Sequence, residues 1–117
     1  MEEENKIFCK DRKEWRTWLK ENYFLLKVIW LIYYKKHTGK LSVSYNDAVE
    51  EAICFGWIDG QIKRIDDEKY MQRFTPRQAK SQWSLNNIKR ARRMIEQGLM
   101  IQEGLDIFRN GIKDKSK

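Results

Sequence analysis

Residues 48–84, AVEEAICFGWIDGQIKRIDDEKYMQRFTPRQAKSQWS, constrain this chain more than any other stretch. Within them a helix must end, a hairpin must form and a polar loop must return between two tryptophans, Trp57 and Trp83. Gly56 supplies the left-handed residue that closes a helix. The runs Ile58–Ile65 and Tyr70–Thr75 flank the polar stretch Asp66-Asp67-Glu68-Lys69, which predicts a β-hairpin. Pro76, the only proline, ends the second strand because it brings no N–H to a ladder. Arg77 to Gln82 reads as loop, and Ser84 as the cap of the next helix.

The same region carries the charge. Residues 1–60 hold ten Lys/Arg and ten Asp/Glu, and residues 95–117 hold four of each. Residues 61–94 hold ten Lys/Arg against three acids, an excess of seven that equals the net charge of the chain. Charge polarised in this way points to an anionic ligand or an acidic partner.

The rest of the chain completes a small domain. Asp11–Glu21 predicts a helix capped by Asp11, with Trp15, Trp18 and Leu19 on its inward face. Val28–Tyr34 is β-branched and aromatic throughout, which predicts a central strand covered on both faces. Ser44-Tyr45-Asn46-Asp47 opens a second helix, whose apolar face is Ala48, Val49, Ala52, Ile53 and Phe55. A third helix runs from Ser84 to about Gln97, with Ile88, Ala91, Ile95 and Leu99 inward and Gly98 at its end. A fourth runs from about Gln102 to Ile112, with Leu105, Phe108 and Ile112 inward. The expected architecture is α+β: a single domain over 1–117, with about four helices packed on a small sheet that contains a central strand and a β-hairpin. Residues 1–7 and 113–117 are expected to fray.

Several functions are disfavoured. The longest apolar run, Val28–Tyr34, falls far short of the roughly 20 residues of a membrane helix, so no membrane insertion is expected. The N-terminus MEEENKIF has no apolar leader segment. Cys9 and Cys54 are distant and form no CxxC, consistent with reduced thiols in a cytoplasmic protein. His37 is the only histidine and has no partner nearby in sequence, so neither a zinc site nor a cofactor is expected. Asp66-Asp67-Glu68 reads as a solvated turn, not a cation site. No phosphate-binding GxxxxGK[ST], no GxGxxG and no nucleophile-plus-base pair is present. Binding is therefore expected over catalysis, with an enzyme kept as an alternative because catalytic residues need not be close in sequence.

At this point the motifs carry a resemblance. FGWIDGQ, the spaced TPR, and KSQWSLNN followed by MIEQGLM and GL resemble the signature of the YdeI/OmpD-associated family of bacterial proteins. WLIYYKK, SYNDAVEEA and the N-terminal aromatic helix ending in Asn fit the same pattern, over about residues 8 to 108. The family's name links it to bacteriocin protection and outer-membrane porins, without a biochemical activity. Members usually continue into a C-terminal helical segment rich in Lys and Arg. The resemblance finds no counterpart of that segment here, and no role residing there is carried over.

Three binding readings remain. In the first, an anion-accepting site forms where the hairpin, the loop and the third helix meet, lined by Trp57, Asp59, Arg73, Arg77, Lys80, Ser81, Trp83 and Ser84. Arginines offer a planar fork to phosphate or carboxylate, tryptophans offer flat walls, and a helix N-terminus favours anions. Gln61, Asn86 and Asn87 add hydrogen-bonding groups. On this reading Trp83→Ala and Arg77→Ala abolish binding and spare the fold. The plainer account of the same residues is structural: Ser84 only caps its helix, Asp59 pairs with Arg73 or Arg77, and the tryptophans are core. In the second reading, nucleic acid binds a basic surface of Lys63, Arg64, Lys89, Arg90, Arg92 and Arg93. In the third, the domain is an interaction module for an acidic protein at the cell envelope.

Overall fold

A computed structural model of the chain describes residues 4–78 and 80–115, the last three as backbone. The chain forms β1 (Lys6–Phe8), α1 (Arg12–Asn22), β2 (Ile29–Tyr34), a 3-10 turn (Lys36–Thr38), α2 (Tyr45–Cys54), β3 (Trp57–Arg64), β4 (Lys69–Pro76), α3 (Leu85–Glu96) and α4 (Gln102–Lys115). The strands make one mixed sheet in the order β1-β2-β4-β3. The protein is thus an α+β domain of four helices and one four-stranded sheet, as the sequence pattern predicts.

Local chemistry sets most boundaries. Asp11, Ser44 and Ser84 each accept a hydrogen bond from the backbone N–H three residues on, at 3.0, 3.2 and 3.1 Å. Each such cap contributes about 1 kcal/mol. Gly56 takes φ +76° where α2 gives way to β3. In the hairpin turn Asp66 accepts from the N–H groups of Glu68 and Lys69. Gly60 and Gln61 interrupt the β3–β4 register between Asp59 and Ile62.

Three expectations need correcting. Residues 1–3 lie outside the described part, but Lys6 and Ile7, expected to fray, form β1, which runs parallel to β2 with Ile7 opposite Leu31. Three residues carry too little pattern to read, and pairing with β2 supplies their order. At the other end α4 continues to Lys115, and residues 116–117, also expected to fray, lie outside the described part. Second, β2 lies inside the sheet, but helices cover only one of its faces. Ile29, Leu31 and Tyr33 join the core with Trp15, Leu19, Ala48, Ala52 and Phe74. On the opposite face Ile32 and Tyr34 are half-exposed, and Trp30 is covered by Glu4 and Lys63. Third, Met94 and not Ile95 is the buried residue of the third turn of α3.

The middle helix is α2, buried from Ala48 through Cys54. Ala48, Ala52 and Cys54 face the sheet core, while Val49 and Ile53 meet Trp83, Ala91 and Phe108 beneath α3 and α4. Between these faces Glu50 and Glu51 are buried as well, at 4% and 2% exposure. Burial of a carboxylate costs several kcal/mol unless it is paired and hydrogen-bonded. Here Arg12 and Arg93 bind Glu50 at 3.1 and 2.7 Å, and Arg12 and Arg16 bind Glu51 at 2.7 and 2.8 Å.

Burial alone would push the Glu50 carboxyl up, but hydrogen bonds from Arg93 and Arg12 outweigh it and hold the group below its ordinary value. A lowered folded pKa contributes stability that is complete above the unfolded value and lost as pH falls through the folded one. The melting temperature is therefore expected to fall as pH drops below about 4.5, the ordinary value of the group. Glu50→Gln is expected to cost about 2 kcal/mol at neutral pH, less than a fully buried pair because Arg12 and Arg93 reach solvent. It should also flatten the acid limb. Thermal melts across pH that give parallel curves for the two proteins would remove Glu50 from this account.

Candidate functional site

β4 ends at Pro76, and the next residue is fixed at once: the Arg77 N–H donates to the Gly56 carbonyl at 2.8 Å. The end of α2 thereby sets where the loop begins. Gln78 and Ser81 close a small turn, Gln78 N to Ser81 Oγ at 3.0 Å and Ser81 N to Gln78 O at 2.9 Å. Trp83 then drops into the layer between α2 and α4, edge-on to Phe108 at 5.1 Å.

Arg77 lies over Trp83, its guanidinium carbon 3.8 Å from the ring centre. The side chain is only 6% exposed. Nη1 donates to the Gln82 carbonyl at 2.9 Å, while Nε and Nη2 are buried with no acceptor among the described residues. Burial pushes the guanidinium down to about 10, against a smaller opposing pull from Asp59. Arg77 therefore stays charged at neutral pH.

Two cavities share Arg77 and Gln78. One, of about 180 Å³, is walled by Trp83 and Ser81 on one side and by Ile107, Asn110 and Gly111 of α4 on the other. That is well beyond the ~10–15 Å³ that holds one water. A Cβ added at Gly111 would stand 2.3 Å from Trp83 Nε1, so glycine is what lets the indole lie there. The other cavity, about 470 Å³ and more open, is lined by Lys27, Arg73, Thr75 and Pro76 besides the shared pair. The arrangement offers a buried fork of two N–H donors, a flat ring beneath it, and further cations on one side.

Of the residues singled out from sequence, the fold brings Arg77, Ser81 and Trp83 together, with Arg73 on the wider cavity. The others are placed elsewhere or differently used. Trp57 is 1% exposed and packs edge-on to Trp18 in the main core, out of reach of a ligand. Asp59 accepts from the Tyr45 hydroxyl at 3.2 Å and pairs with neither Arg73 nor Arg77 in a salt bridge. Arg73 is held by Glu4 at 2.9 Å. Lys80 is exposed, and the Ser84 hydroxyl is spent on its cap. Sequence reasoning missed Lys27, Gln78, Ile107, Asn110 and Gly111, none of which carries a local signal.

The surface proposed for nucleic acid is partly spent. Arg93 is bound to Glu50, Arg90 donates to Asn46 and Asn87, Arg64 pairs with Asp67, and Lys63 lies over Trp30. Lys89 and Arg92 are exposed. Cys9 and Cys54 are buried free thiols, pushed up by burial to about 12 and about 11. Among the described residues no three His, Cys, Asp or Glu converge as a metal-holding group, and no helix is long and apolar enough to cross a membrane.

Fold and site together define a small α+β domain with a buried, half-paired arginine at the junction of sheet and helices. A family model described as Domain of unknown function (DUF8412) matches residues 7–107, and the chain belongs to that family. No curated protein and no solved structure matches.

The packing changes what substitutions at the site should do. Trp83→Ala, expected from sequence to spare the fold, should instead cost about 3–5 kcal/mol, because it empties a core position. Arg77→Met removes two unsatisfied donors and keeps the apolar stem. Its stability should lie within about 1 kcal/mol of the parent or above it. Denaturant unfolding in which Arg77→Met is the more damaging of the two would make Arg77 a structural residue.

Proposed function

We propose that the domain binds a small anionic ligand, carboxylate or phosphate, through Arg77. The observation that carries this reading is the buried guanidinium edge, Nε and Nη2, without an acceptor among the described residues. Those two N–H groups point the same way, in the spacing that matches two oxygens of a carboxylate or phosphate. Leaving them unmet costs about 1–3 kcal/mol or more for a charged group, and a native chain that retains such a cost calls for an explanation. Trp83 holds the guanidinium flat, and the cavity beside it accepts the uncharged part of the ligand. Lys27 and Arg73 add positive charge at the wider entrance. Both donors are buried, so a ligand reaches them only by a local opening of the structure.

Arg77 supplies charge and hydrogen bonds, not a nucleophile or a base, so the reading is binding and not catalysis. The resemblance to the YdeI/OmpD-associated family would place this binding in a bacterial protein tied to bacteriocin protection or the envelope, and it assigns no reaction.

The test is a titration with inorganic phosphate and with benzoate, followed by nitrogen-edited NMR of the Arg77 Nε–H and the Trp83 indole N–H. Saturable shifts of both signals are expected in the parent and not in Arg77→Met. Gly111→Ala, which crowds the indole, should weaken benzoate more than phosphate. Equal shifts in the parent and Arg77→Met, or none with either anion, would refute the reading.

A further inference from the structure

All four helices lie on one face of the sheet, and the other face is built from rings and cations. Strand alternation and the strand registers place Phe8 of β1, Trp30, Ile32 and Tyr34 of β2, and Met71 and Arg73 of β4 on that outer face, with Lys6 and Lys69 at its margins and Lys63 beside Met71. Phe8 is 44% exposed and meets Tyr34 edge-on at 5.4 Å. Each of the two β2 rings carries an ammonium: Lys63 Nζ is 5.1 Å from the Trp30 ring centre, and Lys40 Nζ is 5.1 Å from that of Tyr34.

An anion already sits on this face, and it belongs to the chain itself. The Glu4 carboxylate takes the Arg73 fork at 3.1 and 2.9 Å and the Trp30 indole N–H at 3.0 Å. Hydrogen bonds from Arg73 and then Trp30 hold its carboxyl at about 2. Its geometry is that of a phosphate bound by an arginine beside an aromatic platform. The other acids near the face, Glu68 and Asp66, reach Lys40 and Lys69 only at 3.5 Å. Exposed pairs of that kind contribute little and exchange readily.

We propose that the outer sheet face binds a single-stranded nucleic acid, its bases stacking on Phe8 and Tyr34, and on Trp30, which is 5% exposed, only once Glu4 and Lys63 have moved off it, and its phosphates taking Arg73, Lys63 and Lys40. Rings interleaved with cations on an open sheet match a polymer that alternates flat bases with negative charge. A duplex hides its base faces and cannot use the rings. An acidic protein would use the cations and leave the rings without a partner. Lys63 and Lys40 swing off the rings to meet phosphate as bases take their place. This surface goes beyond the Arg77 site and shares only Arg73 with it.

The experiment is fluorescence anisotropy of a short labelled oligothymidylate with the full chain, at low and at physiological salt. Binding is expected that weakens steeply as salt rises. A hairpin duplex of equal length should bind about tenfold more weakly. Phe8→Ala, at a half-exposed edge position, should lose about five- to tenfold in affinity, and Glu4→Gln should gain several-fold. Arg77→Met should bind as the parent does, which separates failure here from failure of the anion site. Thermal melts establish that each variant is folded. The proposal is overturned if Phe8→Ala and Tyr34→Ala both leave affinity unchanged, if the duplex binds as tightly, if Lys89→Ala with Arg92→Ala abolishes binding instead, or if anionic vesicles bind and the oligonucleotide does not.

Discussion

Two consecutive buried carboxylates, Glu50 and Glu51, fix the helical layer on which everything else rests. Successive helix residues point about 100° apart, so the pair reaches in two directions from the middle of α2. Glu50 takes Arg12 from α1 and Arg93 from α3, and Glu51 takes Arg12 and Arg16 from α1. Arg12 also binds Asp47 at 2.9 Å, and Arg16 Nη2 donates to the Leu99 carbonyl at 2.7 Å, in the connection before α4. Four elements are held in register by groups that would each be costly if left alone. Such a network is a weak source of net stability and a strong source of uniqueness, because a shift of any helix would orphan a buried charge. The end of α2 is fixed as a result, and through Gly56 it fixes Arg77.

What the sequence revealed follows the range of each interaction. Caps, the residues around Gly56 and the hairpin turn act over three or four positions, and the residues that perform them are adjacent. Burial of Glu50 and Glu51 was not legible, since EE in an amphipathic helix reads as a solvated face. Only arginines some 35 to 43 residues away make it tolerable. β1 is legible only once β2 is in place. Trp57 and Trp83 look alike in sequence, both beside polar loop residues. Trp57 lies in the main core with Trp18, whereas Trp83 separates a cavity from α2, and the difference arises in α4, which no spacing near Trp83 anticipates.

The polarised charge of residues 61–94 also resolves into separate uses. Part of it serves the fold: Arg93 answers a buried acid on α2, and Arg90 rests against Asn46 and Tyr45. Part of it stands on the open sheet face, where Lys63 and Arg73 touch aromatic rings or a carboxylate. A count of basic residues groups these together, and only their partners distinguish them.

Arg77 belongs to neither group, and the contrast with Arg12 and Arg16 is the strongest argument for a ligand. All three are arginines in contact with the core layer. Arg12 and Arg16 are about a third exposed, yet between them they satisfy three acids and a carbonyl. Arg77 is the most buried of the three and has one carbonyl. If packing alone governed where arginines are paired, the deepest would be the best paired, because it loses the most hydration. A fold able to assemble a complete carboxylate network on α2 has the means to supply an acid at Arg77. The order is inverted where two cavities meet, and the proposed anion would supply the acceptor that the described residues do not.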